Sequence, residues 1–182
     1  MKYLLITIGF IFLATNSVSA LTVSAEDTTA QLNDNFSISI TGFEPNTIVD
    51  GGGLNISFDA SILQVNSVTI DTTIWSLYDS VGAIDNTSGS ISDVRFLTFG
   101  SPTNLFDIVS IDFTAIGSGS TVIGLSEDAL NPFVTTGGVI PADLSFDNGL
   151  VTISAVPVPA AAWLFSSALL GLAGVKRRKI HK

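Results

Sequence analysis

Carboxylates are the only abundant groups in this 182-residue chain that could do chemistry. Residues 21–155 hold sixteen acids against a single cation, Arg95, for a formal charge of −15. Three acidic spots lie in loop-like contexts: Glu26-Asp27, Asp50 beside Gly51-Gly52-Gly53, and Glu127-Asp128. Oxygens so placed could ligate Ca²⁺. No stretch carries the twelve-residue alternation of Asp/Asn ligands closed by a glutamate, so the acids read as solvated charge that keeps the domain soluble. No metal is expected. Glycoside hydrolysis needs two positioned carboxylates across a cleft, yet only Glu26, Glu44 and Glu127 are glutamates and none sits in a motif. Trp75 and Tyr78, within Thr73-Ile74-Trp75-Ser76-Leu77-Tyr78, could stack on a sugar ring. A half-buried strand aromatic is the commoner use of such residues. Arg95 is expected to pair with a nearby acid rather than to act on a substrate.

What is missing narrows the chemistry further. There is no cysteine, which removes disulfides, thiolate metal sites and thiol nucleophiles. The single histidine, His181, lies in the extreme tail, so residues 21–155 have no imidazole for a general base or a Ser-His-Asp relay. No catalytic constellation remains, and neither enzymatic activity nor a cofactor is expected. A body of charge −15 repels phosphate backbones, so nucleic acid is not a partner.

These residues must be positioned by a fold, and the two ends of the chain do not belong to it. Residues 1–20 read as a secretory signal peptide: Lys2, an apolar run from Tyr3 to Ala14, then Val18-Ser19-Ala20 as a small-residue cleavage site. Cleavage between Ala20 and Leu21 is expected. The other reading, an uncleaved anchor, has an apolar run well short of the ~20 residues that cross a bilayer. Residues 156–182 have three parts. Val156-Pro157-Val158-Pro159-Ala160 is held extended by its prolines. An Ala- and Leu-rich stretch to Val175 can form a transmembrane helix, with Trp163 as an interface aromatic. Lys176, Arg177, Arg178 and Lys179 act as a basic stop-transfer cluster that stays cytoplasmic.

That three-part tail resembles the PEP-CTERM family of bacterial sorting signals, in particular the variant with a Val-Pro-Leu-Pro-Ala motif, with Val158 in place of the leucine. The resemblance covers Val156 to Lys179. It implies recognition by an exosortase-type membrane protease, cleavage near the proline motif, and a Gram-negative cell that makes extracellular polysaccharide. The precursor would sit in the inner membrane and the product at the cell surface or in the matrix. A permanent single-span anchor is the alternative.

Between the ends, period-two alternation dominates. Phe36-Ser37-Ile38-Ser39-Ile40, Leu54-Asn55-Ile56-Ser57-Phe58 and Val109 to Ala115 alternate cleanly. Further strands are expected at Leu21–Ala25, Leu63–Ile70, Ile74–Tyr78, Ile91–Phe99, Thr121–Leu125 and Leu150–Ser154. Turns are expected at Gly51-Gly52-Gly53, Asn86-Thr87-Ser88-Gly89 and Gly117-Ser118-Gly119. Asp147-Asn148-Gly149 reads as a hairpin turn. About nine short strands without a sustained helical period predict an antiparallel β-sandwich. Phe36, Ile38, Ile40, Leu54, Ile56, Phe58, Ile111 and Phe113 should form its core. Ser37, Ser39, Asn55, Ser57, Ser110 and Asp112 should face outward.

Order and content of these strands are similar to a cohesin-type domain. The likeness rests on Asn33-Asp34-Asn35 before the second strand, on Phe58-Asp59 followed by Leu63-Gln64-Val65, and on the closing Asn148-Gly149-Leu150-Val151-Thr152-Ile153. It implies a jelly-roll-like sandwich over residues 21–155. The function expected is that of a non-catalytic exported surface or matrix protein, with extracellular polysaccharide or another surface protein as partner.

Overall fold

A computed structural model describes residues 21–155, apart from 46, 100–103, 139 and 142, together with 164, 165 and 167–170 of the tail. Residues 21–155 form an all-β sandwich. The strands are β1 (Leu21–Ala25), β2 (Thr28–Gln31), β3 (Asn35–Glu44), β4 (Val49–Ser57), β5 (Leu63–Ile70), β6 (Tyr78–Ser80), β7 (Ala83–Asp85), β8 (Ser90–Leu97), β9 (Asn104–Ala115), β10 (Gly119–Glu127), β11 (Val134–Thr135), β12 (Leu144–Asp147) and β13 (Gly149–Ser154). One sheet has the order β12-β1-β3-β9-β5; the other runs β2-β13-β10-β4-β8-β6, with β11 on β4 and β7 on β8. The described tail residues 164, 165 and 167–170 are helical, and among the described residues no helix is long and apolar enough to cross a membrane.

The inward alternates of both sheets make the core. Ile38, Ile40, Leu54, Ile56, Ile111 and Phe113 are all buried as their spacing predicts. Phe36 is a partial correction: near the start of β3 it is only half-buried, stacked 6.0 Å from Phe113, which Phe58 meets edge-on at 5.5 Å. A second aromatic chain fills the other end of the sandwich. Trp75 lies 4.6 Å from Phe96 and 5.8 Å from Phe106, and Phe96 meets Phe133 at 5.5 Å. Offset and edge-on rings of this kind add to the burial of their area.

Thirteen strands appear instead of nine because two long strands divide and change sheets and the short β7 and β11 add two more. β1 and β2 divide at Glu26-Asp27, and β12 and β13 divide at Asn148. β1 pairs with β12 in one sheet while β2 pairs with β13 in the other, both in parallel. The expected hairpin at Asp147-Asn148-Gly149 is therefore wrong. The chain crosses between sheets there, since the Asn148 side chain accepts the Leu125 N–H at 2.8 Å and Asp27 accepts the Leu150 N–H at 2.7 Å.

Two other expectations fail for tertiary reasons. Gly51-Gly52-Gly53 is not a turn but lies inside β4, where neighbours press on the bare backbone. A Cβ on Gly51 would sit 2.4 Å from the Phe96 carbonyl oxygen, and one on Gly52 would sit 2.8 Å from the Phe133 ring. Residues 74–77 are not a strand: Asp71 accepts the Thr73 N–H and hydroxyl at 2.8 and 2.7 Å, curling the chain into a turn that drops Trp75 inward. The turn at residues 86–89 forms as expected. Asp85 accepts the Thr87 N–H at 2.8 Å, and Gly89 takes a φ of +73°, a region glycine enters without steric cost.

Candidate functional site

Of the two residues that could stack on a ligand, the structure removes one. Trp75 has no exposed surface. Its indole N–H donates to the Asp107 carbonyl oxygen at 3.0 Å, so its polar edge is satisfied inside the fold. Trp75 is thus no sugar platform. Tyr78 is 49% exposed at the start of β6, beside Leu97 of β8.

The acidic loops are occupied with their own backbones. Glu127 accepts the Phe133 N–H at 2.8 Å, and Asp128, itself buried, accepts from the Leu130 N–H and the Asn131 amide. Asp50 is buried within β4, and its carbonyl takes the Thr98 N–H at 2.7 Å. Glu26-Asp27 marks the sheet crossing. Among the described residues, no three acids or histidines gather as a metal site would require. Arg95 pairs with an acid as the sequence suggested, gripping both oxygens of Asp93. That contact holds the Asp93 carboxyl below its ordinary range and raises the guanidinium in turn. Asp93 has a φ of +65° at an irregularity between β4 and β8, where Asn55 accepts its N–H at 3.0 Å. A non-glycine residue in that region is uncommon and sits in a locally strained backbone.

Arg95 stands on the outer surface of the eight-stranded sheet, the surface with the most mixed chemistry. Two shallow concavities mark it. One, of about 310 Å³, runs over β10, β4 and β8 between Asn55, Ser57, Ser90, Ser92, Gly124 and Ser126. The other, of about 180 Å³, lies between Tyr78, Arg95, Leu97 and Pro132. Beside the first, Val122 and Leu150 are cross-strand neighbours, 52% and 48% exposed. The face therefore offers apolar side chains, small hydroxyls and a fixed ion pair. Small hydroxyls and glycine allow a partner's backbone to come close, and exposed Val, Leu and Tyr give it area to bury. Alternation placed Ser57 outward and could have done the same for Ser92 and Ser126, but it does not show that three strands bring them together.

Leu21, the expected first residue after cleavage, is fully buried in β1, and its N–H donates to the Asp143 carbonyl oxygen at 2.9 Å. Ala20, Val156 to Ala160, Trp163 and Lys176 to Lys179 lie outside the described residues.

No protein-family model matches the chain, and no curated protein matches its sequence. Solved structures do match. A type I cohesin–dockerin complex from Clostridium thermocellum, Coh-OlpC-Doc435, aligns at 17% identity with a TM-score of 0.62, covering 75% of this chain and 95% of that one. A non-cellulosomal cohesin from the hyperthermophilic archaeon Archaeoglobus fulgidus aligns at 14% identity and a TM-score of 0.61, over 79% and 96%. CaCohA2 from Clostridium acetobutylicum aligns at 19% and 0.61, over 74% and 91%. At such identities the likeness is one of fold, and residues 21–155 have the cohesin-like sandwich.

Proposed function

We propose that this protein is a non-catalytic, exported protein-binding module, whose partner docks on the outer face of β10, β4 and β8. The observation that carries this reading is that face itself: Val122 and Leu150 exposed beside a hydroxyl-lined groove, with Tyr78 exposed at the second concavity. Similar folds in the solved structures include cohesins in complex with dockerins, which supports a protein as the partner. The same reading assigns residues 1–20 to export and residues 156–182 to sorting. An exosortase-type protease would act near Val156 to Ala160 on an inner-membrane precursor, delivering residues 21–155 to the surface or the extracellular polysaccharide. Binding energy at such a face comes from a few central residues in desolvated contact.

Site-specific photocrosslinking on intact cells tests it, with the reactive group at Ser57 and, as a control, at Ser37 on the opposite sheet. A discrete protein adduct from position 57 only, lost on Val122→Lys, is the expected result. The absence of any protein adduct from position 57 would overturn the reading. The sorting half is checked by the mass of protein released from the surface. If it still carries Trp163 to Lys182, the tail is a plain anchor.

A further inference from the structure

The outer face of the five-stranded sheet carries three cross-strand rows of polar residues, and they differ in what their side chains do. In the row Asn35–Thr114, the Thr114 hydroxyl donates to Asn35 at 2.6 Å and accepts from Asn66 at 2.9 Å. In the row Ser37–Asp112–Ser67, both serine hydroxyls donate to the Asp112 carboxylate, at 2.6 and 2.5 Å. Those two rows are internally saturated. The third row, Ser39–Ser110–Thr69, is in register across β3, β9 and β5. Among the described residues, its three hydroxyls have no side-chain partner. This row, and neither of the others, borders a cleft of about 370 Å³, within the ~300–1,000 Å³ typical of small-ligand sites.

The cleft has a rigid rim. A register shift between β3 and β9 turns Asp107 outward beside the row, and the buried Trp75 indole fixes the Asp107 backbone from below. Asp71 lines the same cleft, held by the turn it caps: its carbonyl oxygen accepts the Ile74 and Trp75 N–H groups at 3.1 and 2.9 Å. Three adjacent strands span about 10 Å, the reach of a short oligosaccharide rather than of a single ion. Hydroxyls both donate and accept, as ring hydroxyls do, whereas ionised carboxylates only accept. Among the described residues no cation lines the cleft, and the surrounding domain carries −15. An acidic sugar is repelled, and a ligand bearing an ammonium is drawn in.

We propose that this cleft binds an amino sugar, a glucosamine-type unit of a partly de-N-acetylated polysaccharide. Its ammonium lies against the Asp107 and Asp71 carboxylates, and its hydroxyls lie on the Ser39–Ser110–Thr69 row. The site is on the opposite sheet from the protein-binding face, so the two stand or fall separately.

Calorimetric titration of the protein as exported with glucosamine hexamer tests the proposal, with N-acetylglucosamine hexamer and oligogalacturonate as comparisons. Saturable binding of the glucosamine hexamer is expected, with tenfold or greater loss in Ser110→Ala and in Asp107→Asn. Thr69→Val, which keeps the shape of the row, should give a similar loss with the melting temperature unchanged. Asp79→Asn, an equal change of charge on the other sheet, should bind as the parent does. Equal weakening by Asp79→Asn and Asp107→Asn would mean diffuse charge attraction and would overturn the site. So would parental affinity in Ser110→Ala, or equal affinity for the acidic oligomer.

Discussion

Replacing Trp75 separates a structural tryptophan from a ligand platform more cleanly than any other single change. The side chain is fully buried, rings of Phe96 and Phe106 lie 4.6 and 5.8 Å away, and the indole N–H holds the Asp107 carbonyl. Trp75→Ala removes the transfer energy of the largest side chain in the core and leaves a cavity between the sheets, together about 3–5 kcal/mol. Against a total stability of ~5–15 kcal/mol for a domain, that is a large share. For a domain of this size each kcal/mol moves the midpoint by roughly 3–5 °C, so a fall of roughly 10–20 °C is expected. Trp75→Phe keeps a ring in place but strands the Asp107 carbonyl, at a cost of ~1–3 kcal/mol. Urea unfolding at pH 7 with an unchanged slope measures both. A loss below ~1 kcal/mol for Trp75→Ala would refute the buried assignment and restore the surface role.

Gly52→Ala should destabilise by roughly 1–3 kcal/mol in the same assay, because its Cβ would overlap the Phe133 ring at 2.8 Å. Asp59, Asp71, Asp85 and Asp112 all titrate below their ordinary value of 3.8, chiefly through side-chain or backbone hydrogen bonds from Ser61, Thr73, Thr87 and Ser37 respectively. A carboxyl depressed in the folded state stabilises fully above the unfolded value and loses that contribution as the pH falls through the folded one. Thermal scans should therefore be level from neutrality to about pH 5 and decline below about pH 4, with Asp112→Asn flattening part of that decline. N-terminal sequencing of exported protein should begin at Leu21, and a start at Met1 would sink the leader assignment. Millimolar Ca²⁺ should leave the melting temperature unchanged; a rise of many degrees would reveal a metal site in the acidic loops.

Much of the sandwich was legible in the sequence because strand alternation is a local property. A side chain two positions along returns to the same face, so Ile38, Ile40, Ile56 and Phe113 declared themselves core without reference to any partner. The absence of cysteine and of any body histidine was equally decisive for the chemistry, since no folding can supply a missing functional group. Arg95, the body's lone cation among sixteen acids, was bound to find an acid. What alternation could not convey is which strands meet. Trp75 read as a half-buried strand aromatic that could also stack on a sugar ring, and only the turn capped by Asp71 and the gap between the two sheets draw the indole fully inward. Gly51-Gly52-Gly53 looked like a turn, and only Phe96 and Phe133 pressing on β4 show why the glycines are there. Ser37 and Ser39 are indistinguishable by type and spacing. Pairing makes the difference: the partner of Ser37 across β9 is Asp112, whose carboxylate accepts its hydrogen bond, while the partner of Ser39 is Ser110, which leaves both hydroxyls free. Register is set by contacts between strands more than seventy residues apart in the chain, and no pattern within one strand encodes it.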